Sequence, residues 1–178
     1  MKKASILSFA LILAMAIAVK AQNAAEYVFT HGNLTYTPVT GATAAAGAQG
    51  DDNSEPNVPI GFTFYYCGTP YTSLRACSNG WASFNTASGS NTLTNSTGDA
   101  GIVTNMIMPL WDDLDGGGRT ASYVVTGTAP NRIFTFEWKN YEWNWQASGP
   151  VISFQMQLFE TTNIIQFNYQ QETTPVNI

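Results

Sequence analysis

The stretch IGFTFYYCGTPYTSLRACSNGWASF, residues 60–84, sets the fold class of this chain. Ile60, Phe62, Phe64 and Tyr66 alternate with Gly61, Thr63 and Tyr65. A period of two puts the large apolar side chains on one side of an extended strand, as a strand with one buried face requires. Gly68-Thr69-Pro70 then reads as a turn and 71–78 as the returning strand of a hairpin. Asn79-Gly80 is a tight-turn signal, because both residues accept the positive φ of a two-residue turn. Residues 81–84 follow as a further strand.

The stretch MPLWDDLDGGGRTASYVVTGTAPNRIFTFEWKNYEW, residues 108–143, repeats the pattern. Residues 106–111 are strand-like, with Pro109 marking an edge or an irregular position. Asp115-Gly116-Gly117-Gly118 must turn, and 120–126 pairs naturally with 133–138 across 127–131. Phe134, Phe136 and Trp138 share a face, as do Ile152, Phe154, Met156 and Leu158, and then Ile165, Phe167 and Tyr169. Residues 26–30 and 34–39 read as two short strands around His31-Gly32-Asn33. Residues 41–59 and 85–101 read as polar loops. About ten short strands with frequent turns predict an all-β, antiparallel β-sandwich, in a jelly-roll or Ig-like arrangement.

The N-terminus predicts the compartment. Lys2 and Lys3 precede an apolar run over 6–19, and Val19-Lys20-Ala21 offers small residues for cleavage. Residues 1–21 are read as a signal peptide and 22–178 as a single extracellular domain. A retained anchor fits less well because the run is short for a bilayer. A lipoprotein fits less well because no cysteine stands at the cleavage point. Beyond residue 21, four basic residues face all twelve acidic ones, a net charge of 4 − 12 = −8. No basic patch is present to neutralise phosphates, which argues against nucleic acid as a partner and against an anionic membrane surface. The expected location is secreted or outer cell surface, with no membrane insertion after cleavage. An oxidising compartment would permit a disulfide between the two cysteines, Cys67 and Cys77. The expected hairpin sets them farther apart than the about 7 Å between Cα atoms that a bridge needs, so two thiols are the plainer reading.

Five segments now carry a resemblance: YTPVTGAT (36–43), IGFTFYYCGTPYTSLRACSNGW (60–81), PLWDDL (109–114), GTAPNRIFTFEWKN (127–140) and ISFQMQLFETTNIIQFNY (152–169). In this order they resemble the β-sandwich module repeated in large secreted proteins of Bacteroidota, which often carry type IX sorting domains. That module is distantly similar to the nidogen extracellular domain. The resemblance implies an extracellular, adhesion-like or accessory module. The chain stops at Ile178 with no sorting domain, which leaves two readings open: a fragment of a longer multidomain protein, or export by another route.

Two sets of residues could carry chemistry. Asp112, Asp113 and Asp115 surround a Gly-rich turn and could supply oxygen ligands to Ca²⁺. Asp112 and Asp113 point to opposite faces if the chain is extended, so turn-capping is the plainer reading. Asp51-Asp52-Asn53 is a second, weaker candidate. Tyr141, Trp143 and Trp145 alternate with Asn140, Glu142, Asn144 and Gln146. If exposed, these aromatics form a platform for sugar rings; if buried, they are core. Trp111 is expected in the core. An enzyme is not expected. The single histidine is His31, and neither G-x-S-x-G nor H-E-x-x-H occurs. The function predicted is a non-catalytic extracellular adhesion or accessory module with a protein or glycan partner. The alternative is a carbohydrate-binding module around Trp143 and Trp145.

Overall fold

Strand β2 (Ser54–Tyr66) buries Val58, Ile60, Phe62 and Phe64 and exposes the residues between them. The period-two reading of 60–66 therefore holds. The computed structural model describes residues 24–87, 103–146, 149 and 151–173. The expected signal peptide, and most of the expected loop 85–101, lie outside the described residues. The other strands are β1 (Thr43–Ala44), β3 (Thr69–Cys77), β4 (Trp81–Ser83), β5 (Met106–Ile107), β6 (Thr120–Thr126), β7 (Ile133–Tyr141), β8 (Ile152–Phe159) and β9 (Ile165–Gln171). They form two antiparallel sheets, β1-β6-β7-β8-β9 and β2-β3-β4-β5, the β-sandwich that was predicted. No helix among the described residues is long and apolar enough to cross a membrane.

The core lies between the sheets. Val58, Ile60, Phe64, Leu74 and Ala76 from one sheet meet Phe134, Phe136, Trp138, Phe154, Met156 and Leu158 from the other. Trp138 spans this interior. Its ring stacks on Phe154 at 4.8 Å, and its indole N–H donates to the Cys77 carbonyl at 2.8 Å. A second cluster of Cys77, Trp81 and Val103 forms on the other face of the four-stranded sheet, because neighbouring residues on a strand point to opposite sides.

Several expectations change. The β2–β3 turn is Cys67-Gly68, one residue earlier than predicted, with both φ values positive at 49° and 77°. Such a two-residue turn matches the twist of a hairpin. β2 begins at Ser54, inside the expected loop 41–59. It is an edge strand, where Pro56 and Pro59 are tolerated. Bulges interrupt its ladder, so twelve residue steps from Tyr66 to Ser54 face eight from Thr69 to Cys77. Cys77 thus lies opposite Ser54, and both cysteines are free thiols. The strand expected over 106–111 stops at Ile107, because Pro109 has no N–H to offer a ladder. Trp111 is only partly buried, packed against the second cluster rather than in the main core.

The strands expected at 26–30 and 34–39 are absent. That segment instead bonds to side chains. Tyr36 donates its hydroxyl to Glu137 Oε1 at 2.9 Å, the Val39 N–H donates to the same atom at 3.2 Å, and Gln155 Nε2 donates to the Thr37 carbonyl at 2.8 Å. Gln155 Nε2 also donates to Glu137 Oε1 at 2.8 Å. Glu137 is fully buried, and these three donors are what a buried carboxylate requires. Burial, and then the Glu137 charge, push the Tyr36 phenol well above its usual range, so it stays a donor.

Gly80 sits at φ +71°, and a Cβ there would lie 1.9 Å from the Leu110 carbonyl oxygen. Gly80→Ala combines backbone strain with a backbone clash and should cost at least about 2 kcal/mol in chemical denaturation. Trp138→Phe keeps an aromatic ring but removes the indole donor, leaving the Cys77 carbonyl with the Gly80 N–H at 3.2 Å. It should cost about 0.5–1.5 kcal/mol for the lost hydrogen bond, and more for the space left. Trp111→Ala should cost less than the about 3–5 kcal/mol expected for a fully buried Trp→Ala change. Equal losses on Trp111→Ala and Trp138→Ala would contradict the difference in burial.

Candidate functional site

The site is built where β7 ends. Trp138 pairs with Phe154 and Tyr141 with Ile152, three steps against two, so β7 carries one extra residue. Asn140 takes it up at φ +61°. This bulge turns Tyr141 inward. Its hydroxyl donates to the Ala48 carbonyl, and its ring lies so close to Gly116 that a Cβ there would meet it at 2.6 Å. Tyr141 is fully buried and belongs to the core, which corrects its assignment to a sugar platform. The alternation that placed Tyr141, Trp143 and Trp145 on one face assumed a continuous strand, and the strand stops at Tyr141.

The chain then doubles back along 113–115. Asp115 and Glu142 exchange backbone hydrogen bonds of 3.3 and 3.0 Å, and the Trp145 N–H donates to the Asp113 carbonyl at 2.9 Å. Glu142 is fixed by Arg119 at 2.7 Å. Trp143 ends partly buried, while Trp145 is 55% exposed. The aromatic candidate and the acidic candidate are thus neighbours.

The three aspartates of the 112–115 turn separate. Asp112 Oδ1 accepts the Asp113 N–H at 2.9 Å, and Asp115 Oδ1 accepts the Gly117 N–H at 2.6 Å. Both act as turn caps. Asp113 instead joins Asp51 and Asp52, with carboxylate oxygens of all three within 4.8 Å of one another. This corrects the set Asp112, Asp113 and Asp115, and merges the two acidic stretches that the sequence presents as separate. The residue that gathers them is Asn79. It is fully buried; its Oδ1 accepts the Leu114 N–H at 3.1 Å and its Nδ2 donates to Asp52 Oδ1 at 2.9 Å. The sequence marks Asn79-Gly80 only as a turn. Its signal as an organiser would have been a side-chain amide able to bond both ways.

Three carboxylates are hard oxygen ligands of the kind Ca²⁺ takes, though it wants about six to eight, so carbonyls or water would complete the shell. Without a cation the cluster repels itself. Partial burial first, then the neighbouring carboxylates, raise Asp51 and Asp113 above the usual range. Asp51 is exposed and Asp113 half-buried, so solvent screens the effect.

The sign follows from linkage. A carboxyl raised in the folded state adds stability below its unfolded value, about 3.9, and that stability is lost as pH rises through the folded value. Asp113→Asn should therefore raise the Tm modestly at neutral pH and low salt. The gain should shrink in high salt and vanish below about pH 3.9. A Tm gain that is flat with pH would show that charge repulsion is not its origin.

A family model described as NIDO related matches residues 26–178. No curated protein and no solved structure gives a match. The matched region takes in both sheets and the acidic and aromatic surface between them, and on that span the chain belongs to the NIDO-related family.

Proposed function

We propose that the protein is an extracellular, non-catalytic adhesion or accessory module of a secreted or cell-surface bacterial protein. Its contact surface centres on Trp145, flanked by Trp143 and by the Asp51, Asp52 and Asp113 carboxylates. The observation that carries this reading is a large aromatic residue, Trp145, 55% exposed, whose backbone N–H is bonded to the Asp113 carbonyl beside the carboxylates. Tryptophan is enriched at the centres of interfaces, where it buries much area at low entropic cost. Membership of a nidogen-related family, the apolar run over 6–19 and the acidic composition support an extracellular setting.

The glycan reading is retained for the same surface, with Trp145 alone as the ring platform. Asn144 and Gln146 flank it, and both can bond hydroxyls. Ca²⁺ held at Asp113 would then sit beside the stacking face. Bound Ca²⁺ would raise the Tm by mass action, since it favours the folded state.

Binding to immobilised extracellular matrix proteins and to a glycan array separates the two partners. Trp145→Ala should abolish the binding, whichever partner it is, and leave the Tm within about 1 °C, because an exposed side chain contributes little to stability. Undiminished binding by that variant would remove this surface from consideration. Melting curves in saturating Ca²⁺ and in EDTA should differ for the wild type and coincide for Asp113→Asn. Coincident wild-type curves would reduce the carboxylates to surface charge.

A further inference from the structure

A second surface lies at the other end of β2, roughly 30 Å from Asp52 along the strand. Three remote segments meet there: β2 around Thr63 and Tyr65, the β6–β7 turn at Arg132, and the β8–β9 turn over 160–163. They border an open cleft of about 320 Å³, lined by Thr63, Tyr65, Arg132, Glu160, Thr161 and Asn163. That volume is at the lower end of the range of ligand pockets, roughly 300–1,000 Å³.

The walls are fixed before any ligand arrives. The Arg132 guanidinium is held by Glu160 at 2.8 and 2.5 Å, donates to the Gly61 carbonyl at 2.8 Å, and lies over the Phe62 ring at 5.4 Å. Asn163 Oδ1 accepts the Tyr65 N–H at 2.9 Å. The Thr161 hydroxyl donates to the Pro130 carbonyl at 2.8 Å. Thr161 and Asn163 have φ of +67° and +53°. The left-handed region is unfavourable for a β-branched threonine, so the surrounding bonds impose this turn.

The chemistry narrows the ligand by exclusion. An added peptide strand needs free backbone groups on the β2 edge, and here the Gly61 C=O and the Tyr65 N–H are already taken by side chains. An anion needs uncompensated positive charge, and Arg132 is paired with Glu160. A purely apolar ligand needs an apolar lining, whereas Thr63, Glu160, Thr161 and Asn163 line this cleft beside Tyr65. What remains is an aromatic ring, Tyr65, 47% exposed, beside acceptors and donors at fixed positions. We propose that this cleft is a subsite for a neutral saccharide ring, stacked on Tyr65 and hydrogen-bonded by the Thr63 hydroxyl, by the second lone pair of Glu160 Oε1, which accepts from Arg132 with the first, and by the Asn163 amide hydrogen that the Thr161 carbonyl does not take. It is independent of the Trp145 surface.

Titration of isotope-labelled protein with gluco-, galacto- and manno-configured disaccharides, followed by amide NMR, tests this. At least one series should shift the amides of Thr63, Tyr65, Arg132, Thr161 and Asn163 and leave those around Trp145 in place. Tyr65→Ala should weaken that binding at least about tenfold, Tyr65→Phe should preserve it, and Trp145→Ala should not change it. If Tyr65→Ala perturbs the whole spectrum, Tyr65→Leu removes the π face and keeps an apolar strand residue. Absence of shifts at these amides with all three series, or wild-type binding by the variant lacking the ring, overturns the proposal. Undiminished matrix-protein binding by Trp145→Ala would remove the Trp145 surface and leave this cleft standing.

Discussion

The indole N–H of Trp138 donates to the Cys77 carbonyl across the interior of the sandwich, and the same ring is stacked on Phe154. The Cys77 carbonyl also accepts the Gly80 N–H, but the buried indole N–H pulled away from it would cost the desolvation it has already undergone. The bond therefore fixes how far one sheet slides over the other. Cys77 leads directly into the Asn79-Gly80 turn, where Gly80 packs against the Leu110 carbonyl and Asn79 bonds both Asp52 and Leu114. The acidic surface hangs on that turn. A change at Trp138 reaches Asp113 through three links, none of them a contact between the two residues.

Much of the fold is legible in the side-chain alternation. Phe134, Phe136 and Trp138, or Phe154, Met156 and Leu158, are large, apolar and two apart, and all six are buried. What the alternation hides is where it breaks. The bulges in β2 and β7 fall near residues with positive φ, Asn57, Gly61 and Asn140. Asparagine enters that region without announcing it, because it is equally at home in ordinary loops. One hidden bulge turned Tyr141 from a surface candidate into a core residue. The bulges in β2 moved the partner of Cys77 to Ser54. The acidic site was half legible for a related reason: Asp51, Asp52 and Asp113 are distant in sequence, and a buried amide brings them together.

The outer face of the five-stranded sheet shows a different use of polar residues. Gln157 donates to Thr135, Gln166 to Gln157 and Asn168, and Asn168 to Gln155, which reaches Glu137. These amides satisfy one another across β7, β8 and β9. A sheet face made of amides rather than charges stays polar with few ionised groups, consistent with a chain that is only 11% charged.

The segment before β1 has a mechanical consequence. It touches the four-stranded sheet where Tyr27 lies 6.0 Å from Tyr66, and the five-stranded sheet where Tyr36, Thr37 and Val39 meet Glu137 and Gln155. No backbone ladder holds it over 27–42. Tension applied from that side would peel these side-chain bonds one after another before any strand was loaded. The contour length from Ala24 to Thr43 is roughly 60 Å, and the slack released is that length less the distance the segment already spans. A module with such a strap would act as a short extensible tether, lengthening under pull while its sheets remain intact.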